Sequence, residues 1–190
     1  MALPFSFLMA LVILTCNSIC SLGYQAQTHS LAKREALILL LLNQMSTISP
    51  VFCVKDRKDF RFPRATVDGS QVQKAQAIAV LHEMLQQVFN LLPTENSSVT
   101  WNTTLVGLLR SGLHRQLEAL EACLVEEMGE EGSALAMQGP PPALKRYFQG
   151  IRLYLKEKKY SDCAWEVVRG EIMRSFPSIT ALQERLRNKD

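Results

Sequence analysis

The chain has 190 residues with 21 basic and 18 acidic side chains, so its net charge of +3 is close to balance. A nucleic-acid-binding domain is expected to show a strong basic excess, and the near balance therefore argues against nucleic acid as a partner. The length fits one domain with a substantial hydrophobic core.

The N-terminus has the pattern of a secretory signal peptide. Residues 3–14 are almost entirely apolar, and this stretch is shorter than the ~20 residues that a membrane span needs. Ser21 and Gly23 supply small residues at the −3 and −1 positions of a cut after Gly23, although a basic n-region is missing. We therefore predict a signal peptide over residues 1–23 and a secreted, extracellular domain over 24–190, with no membrane insertion. The alternative is a buried N-terminal helix.

Apolar spacing and helix breakers predict five helical segments, the first from about Leu31 to Met45. Its apolar positions share one broad face and are Leu37, Ile38, Leu40, Leu41 and Met45. The irregular stretch that follows contains the breakers Pro50, Pro63 and Gly69. It is too long for an ordinary connection in a compact domain, and loops of this kind usually carry function.

The second helix begins at a capping box formed by Ser70 and Gln73, and it ends at Pro93. Its apolar positions are Ile78, Leu81, Leu85, Val88 and Leu92. The third helix runs from about Trp101 to Leu124, and its two glycines each cost about 1 kcal/mol relative to alanine. Its apolar positions are Leu105, Leu109, Leu113, Leu117, Leu120 and Leu124, and its glycines are Gly107 and Gly112.

A glycine- and proline-rich break over residues 129–142 precedes the fourth helix. The apolar stripe of that helix is Leu144, Tyr147, Phe148, Ile151, Tyr154 and Leu155. The fifth helix begins near Ser161, which suits an N-cap position. Its apolar positions are Trp165, Val168, Ile172 and Phe176. With no strand-like alternation and no repeat, we predict an all-α fold, a five-helix cytokine bundle with long crossover loops.

The sequence contains no motif that would predict catalysis or a bound cofactor. His82 and Glu83 begin like a zinc-protease helix, but Gln86 follows where the pattern needs a second histidine. A glycine-rich phosphate loop and a Gly-x-Ser-x-Gly elbow are both missing. We therefore predict that the protein is not an enzyme and that it needs no cofactor and no metal.

Cysteines and sequons add constraints that fit a secreted protein. Beyond the predicted cut the chain keeps Cys53, Cys123 and Cys163, an odd number that implies one disulfide and one leftover thiol. Their spacing does not suit zinc, and sequence alone allows three pairings. Two sequons begin at Asn96 and Asn102, so we expect glycosylation at both asparagines.

Three segments resemble type I interferons of the alpha/omega group. Residues 53–60, CVKDRKDF, followed by Phe62-Pro63, resemble the Cys-Leu-Lys-Asp-Arg-x-Asp-Phe loop of that family. Residues 80–91 resemble its second helix, and residues 154–161 with 163–169, YLKEKKYS and CAWEVVR, resemble the end of its fourth helix and the start of its fifth. The last is the most specific. Asn102 after Trp101, and Ser49-Pro50, lean towards the omega side.

The resemblance implies a receptor-binding glycoprotein of innate antiviral defence that joins both chains of the type I interferon receptor and triggers JAK–STAT signalling. The residues that match the surface for the high-affinity chain are Val54, Lys55, Asp56, Arg57, Asp59, Arg169, Met173, Arg174 and Ser175. Those that match the surface for the low-affinity chain are His82, Glu83, Gln86, Phe89, Asn90, Leu105, Lys145 and Arg146.

The chain departs from the family pattern at several positions. Arg110 and His114 stand where members often carry tyrosine, Gly150 where many carry arginine, and Gly170 where many carry alanine. From these changes we expect weaker binding of the low-affinity chain than in a typical alpha subtype.

The family's disulfides imply how the cysteines are used. Tyr24 replaces a family cysteine whose partner matches Cys123. The resemblance therefore implies a Cys53–Cys163 disulfide and a free thiol at Cys123, in a monomer or in a dimer joined through Cys123. Two other functions stay open, which are a helical cytokine for a different receptor and a secreted carrier whose apolar ligand is lined by residues 37–42.

Overall fold

The computed structural model describes residues 37–67, 74–93, 101–128 and 141–187. Within these ranges every regular element is helical, and the predicted all-α fold is confirmed. The main helices are α1 (37–44), α2 (Lys74–Leu91), α3 (Thr103–Met128), α4 (Pro142–Glu157) and α5 (Asp162–Arg187). A 3-10 turn over Val54–Asp56 and a one-turn helix over Arg64–Val67 lie in the long connection between α1 and α2.

One hydrophobic core joins the five helices, and most residues of the predicted apolar stripes are buried in it. Helix α2 packs mainly against α3 and also against α5 and α4, while α4 packs against α5. Helix α1 contributes a narrower face than predicted, since Ile38, Leu41 and Met45 are buried whereas Leu37 and Leu40 are 52% and 51% exposed. The buried positions follow the three- and four-residue spacing of a single helix face, and the two exposed leucines lie beside it.

Side-chain caps fix the start of α3 and of α5. The hydroxyl oxygen of Ser161 accepts the backbone N–H of Ala164 at 3.3 Å, which confirms the predicted N-cap. Asn102 caps α3 in the same way, because its Oδ1 accepts the N–H groups of Thr104 at 2.9 Å and Leu105 at 3.2 Å. The predicted capping box at Ser70 lies outside the described residues, as does the predicted signal peptide.

Candidate functional site

A disulfide fixes the loop over residues 53–60 to the start of α5. Cys53 and Cys163 are bonded, with their Cα atoms 5.2 Å apart and 110 positions apart in the chain. This is the pairing that the family resemblance implied. The bond brings the two segments that were predicted to form one receptor surface into direct contact.

Tyr154 of α4 is the second anchor of this loop. Its hydroxyl donates to the backbone oxygen of Asp56 at 2.7 Å, and its ring meets that of Phe60 edge-on with centroids 5.2 Å apart. Burial, together with the nearby carboxylates of Asp56 and Glu157, raises the pKa of Tyr154 to about 12. The phenol therefore stays protonated, and able to donate, at neutral pH. Lys158 adds an ion pair to Asp56 at 3.0 Å.

The anchored loop and α5 enclose a cleft of about 470 Å³. It is lined by Pro50, Cys53, Arg57, Lys58, Asp59, Glu166, Val167, Arg169, Gly170, Glu171 and Arg174. Around it the side chains of Val54, Lys55, Arg57, Asp59 and Arg174 are exposed, and Asp56 and Met173 are half-buried. Most of the residues predicted for the high-affinity chain therefore share one surface.

Arg169 lies under that surface, and its side chain is only 7% exposed. Its guanidinium donates two hydrogen bonds to the carboxylate of Glu166, from Nε at 2.8 Å and from Nη2 at 2.5 Å. A third donor, Nη1, reaches the backbone oxygen of Leu42 in α1 at 3.0 Å. Because its donors are used inside the protein, the structure makes Arg169 a support for the cleft, and its role as a direct receptor contact stays a prediction.

Ser175, which was also predicted for the high-affinity chain, is buried, and its receptor role stays a prediction. The residue is 3% exposed, and its hydroxyl donates to the backbone oxygen of Ile172 at 2.8 Å. The hydroxyl thus bonds within its own helix, and Ser175 lies on the core side of α5.

A second buried carboxylate, Glu171, connects the core to the exposed rim of the cleft. Its Oε1 accepts the Tyr147 hydroxyl at 3.0 Å, and its Oε2 pairs with Arg174 at 3.1 Å. Burial, and then the charge of Glu171, raises the pKa of Tyr147 far above its ordinary value. Arg174 is 64% exposed, and its ion pair with the buried carboxylate of Glu171 fixes it to the core. The acid–arginine spacing of three residues at 166/169 and 171/174 was the signal that could have revealed both pairs.

The residues predicted for the low-affinity chain lie on α2, α3 and α4. On α2, hydrogen bonds join Gln86 to Asn90 at 3.1 Å and Glu83 to Gln87 at 2.7 Å. His82 reaches Glu121 of α3 at 3.1 Å. The predicted α2 positions recur at one-, four- and seven-residue intervals, so they share one helix face.

Helix α4 lies beside α2, and Arg152 of α4 donates a hydrogen bond to the side chain of Gln87 on α2. Near the start of α4, Lys145 and Arg146 are both exposed. Leu105 of α3 is half-buried and packs against the core. Phe89 is likewise half-buried, and the guanidinium of Arg110 lies over its ring, 4.1 Å from the centroid. A side chain added at Gly150 or Gly170 would meet no atom within 4 Å at its Cβ.

In the full 190-residue chain the structure records Cys123 as disulfide-bonded. The free thiol was predicted for the chain after cleavage behind Gly23, and for that form it stays a prediction. Asn102 is exposed at the start of α3, while Asn96 falls outside the described ranges. Within those ranges we find no group of three or more side chains suited to a metal, and no helix long and apolar enough to cross a membrane.

Comparison with known proteins identifies the relatives of the chain. The family model of the interferon alpha/beta domain matches residues 25–186. The chain is 57% identical to human (Homo sapiens) interferon omega-1, an alignment that spans all of this chain and 97% of the relative. It is 56% identical to human interferon alpha-14 over the whole of both proteins. Horse (Equus caballus) interferon omega-2 is 59% identical, over all of this chain and 97% of the relative.

Proposed function

This chain belongs to the interferon alpha/beta family and is a cytokine of that family, and from this premise we propose that it bridges the two chains of the type I interferon receptor and triggers JAK–STAT signalling. Members of the family are cytokines and not enzymes. The observation that carries the proposal is identity of 57% and 56% to an omega and an alpha interferon along the entire chain.

We further propose that the protein is secreted after cleavage behind Gly23. The family model begins to match at residue 25, which fits a mature chain that starts at Tyr24. N-terminal sequencing of the protein recovered from the medium of expressing cells tests this step. A first residue well inside the matched domain would contradict it.

The high-affinity receptor chain is expected to dock on the loop over residues 54–59 and the adjoining face of α5. The loop is exposed yet tied down at Cys53 and through Tyr154, so little conformational entropy is lost when a partner binds. Arg57 stands on the rim of the cleft and can present a planar fork of donors to a partner's carboxylate or carbonyl groups. Met173 and Val54 add apolar area beside it, a composition typical of interface centres.

The low-affinity chain is expected to dock on the face of α2 that carries His82, Gln86, Phe89 and Asn90. The hydrogen bond between Gln86 and Asn90 orders the polar side chains along this face. Exposed Lys145 and Arg146 on α4 and half-buried Leu105 on α3 are proposed to complete it. Phe89 is the large apolar group of the set, and such groups usually anchor an interface.

A cell assay tests the function directly. Cells of the matching species that carry an interferon-responsive reporter are treated with the purified protein, with and without an antibody that blocks the type I receptor. We expect induction that the antibody abolishes. Induction that survives the antibody would indicate a different receptor, which is the first alternative.

The second alternative, a carrier of apolar ligands, predicts no induction but a melting temperature that rises with ligand. It required residues 37–42 to line a cavity. Instead Ile38, Leu41 and Leu42 are packed in the core, and Leu37 and Leu40 face outwards.

A further inference from the structure

The C-terminal end of α2 has a backbone carbonyl that its own helix cannot satisfy. In an α-helix the oxygen of residue i accepts the N–H of residue i+4. The oxygen of Val88 does so from Leu92 at 3.2 Å. For Phe89 the residue four positions on is Pro93, which has no N–H. The carbonyl of Phe89 therefore needs a donor from elsewhere.

Arg110 of α3 supplies that donor. Its Nη1 lies 3.3 Å from the oxygen of Phe89 and 3.4 Å from the oxygen of Leu92. A positive charge at this place is also favoured by the partial negative charge at a helix C-terminus. One side chain thus holds the last turn of α2 from the neighbouring helix.

The same guanidinium covers the ring of Phe89. Its central carbon lies 4.1 Å from the ring centroid, which is well within cation–π range. The ring of His114, one turn further along α3, lies 6.4 Å from that of Phe89. Arg110 consequently contacts Phe89 twice, once at its backbone oxygen and once at its side chain.

We propose that Arg110 is a positioning residue, which fixes the ring of Phe89 in the orientation that the low-affinity receptor chain recognises. This inference rests on the proposed function. Neither lysine nor glutamine at position 110 can reproduce this arrangement. Lysine keeps the charge but has no planar group to stack on the ring while bonding two oxygens, and glutamine keeps a donor but has no charge.

A double-mutant cycle separates positioning from direct contact. The proteins are the wild type, Arg110→Gln, Arg110→Lys, Phe89→Ala and the two double variants. Each is passed over both immobilised receptor chains by surface plasmon resonance. We expect Arg110→Gln to weaken the low-affinity chain about fivefold or more, which corresponds to a lost cation–π contact of about 1 kcal/mol. Arg110→Lys should lose more than half as much binding free energy as Arg110→Gln does.

In the Phe89→Ala background, either substitution at Arg110 should change the affinity less than twofold, because the ring to be positioned is gone. Binding to the high-affinity chain should stay within twofold for all variants and serves as the measure of correctly folded protein. A full fivefold loss in the Phe89→Ala background would show that Arg110 acts without the ring, through the receptor or the end of α2, and would overturn the proposal. An unchanged affinity of Arg110→Gln in the wild-type background would overturn it as well.

The two levels of inference fail in different ways. If the wild-type protein binds neither receptor chain, the proposed function is wrong. If the wild type binds both chains and the cycle shows no coupling between residues 89 and 110, only the role of Arg110 is wrong.

Discussion

Replacing Arg169 with alanine should damage the stability of the protein first and receptor binding only as a consequence. The substitution would remove the two hydrogen bonds that Arg169 donates to Glu166, which is 6% exposed, and the carboxylate would keep the bond from the Ser46 hydroxyl at 3.3 Å. Breaking a buried pair by removing one partner typically costs about 3–5 kcal/mol. The backbone oxygen of Leu42 also loses its 3.0 Å donor, so we expect a value towards the upper end.

In a domain of this size, that loss corresponds to a fall in melting temperature of about 6–20 °C. The matched control is the double variant Glu166→Leu with Arg169→Met, which removes both charges and keeps similar volumes. Replacing a whole buried pair by hydrophobic side chains of similar volume is often close to neutral, so the double variant should be clearly more stable than Arg169→Ala.

Urea unfolding followed by circular dichroism measures both free energies, and plasmon resonance on the folded fraction measures affinity for the high-affinity chain. A free energy of unfolding of Arg169→Ala within about 1 kcal/mol of the wild-type value, together with a loss of receptor affinity, would contradict this prediction. That pattern would mark Arg169 as a contact residue, as the sequence alone had suggested.

Three further outcomes are expected. Arg57→Ala should weaken binding to the high-affinity receptor chain by about 2 kcal/mol or more without changing the melting curve. The exposed control Arg64→Ala should leave that affinity intact, and equal affinities of the two variants would contradict the position of Arg57 in the interface. Gly107→Ala and Gly112→Ala should each stabilise α3 by up to about 1 kcal/mol in urea unfolding, since no atom lies within 4 Å of the added Cβ, and a loss of stability would show hidden crowding. The pKa of Tyr154 is raised to about 12 in the folded protein, so its contribution to the free energy of unfolding is complete below pH ~10 and is lost as the pH rises towards 12. Tyr154→Phe should therefore flatten the decline of stability at alkaline pH, and an unchanged slope would refute this.

The helices of this protein could be predicted because their apolar residues recur at helical spacing. Ile151, Tyr154 and Leu155 of α4, for example, are all buried as that spacing requires. The same spacing predicted too wide a buried face for α1, where Leu37 and Leu40 lie beside the buried stripe and not within it. Period alone does not give the width of the face that a neighbouring helix covers.

The candidate site was harder to predict because its geometry depends on contacts between distant segments. The charge of Arg169 suggested exposure, yet Glu166 and the oxygen of Leu42 keep that side chain inside. Arg110 looked like the loss of a tyrosine, whereas the structure gives it a specific task at the end of α2. Sequence patterns indicate which residues face inwards, but they do not name the partner that a buried polar group will find.

Asn102 has a practical consequence for anyone who produces the protein. Its side chain caps α3 through Oδ1, while a glycan would be attached through the opposite atom, Nδ2. Replacing Asn102 to remove a glycan would also remove the cap, which costs about 0.5–2 kcal/mol of stability. A drop in yield or shelf life caused by the lost cap would then be attributed wrongly to the missing glycan. Thr104→Ala disables the same sequon and keeps the backbone N–H that the asparagine accepts. It is therefore the cleaner choice when bacterial and mammalian preparations are compared.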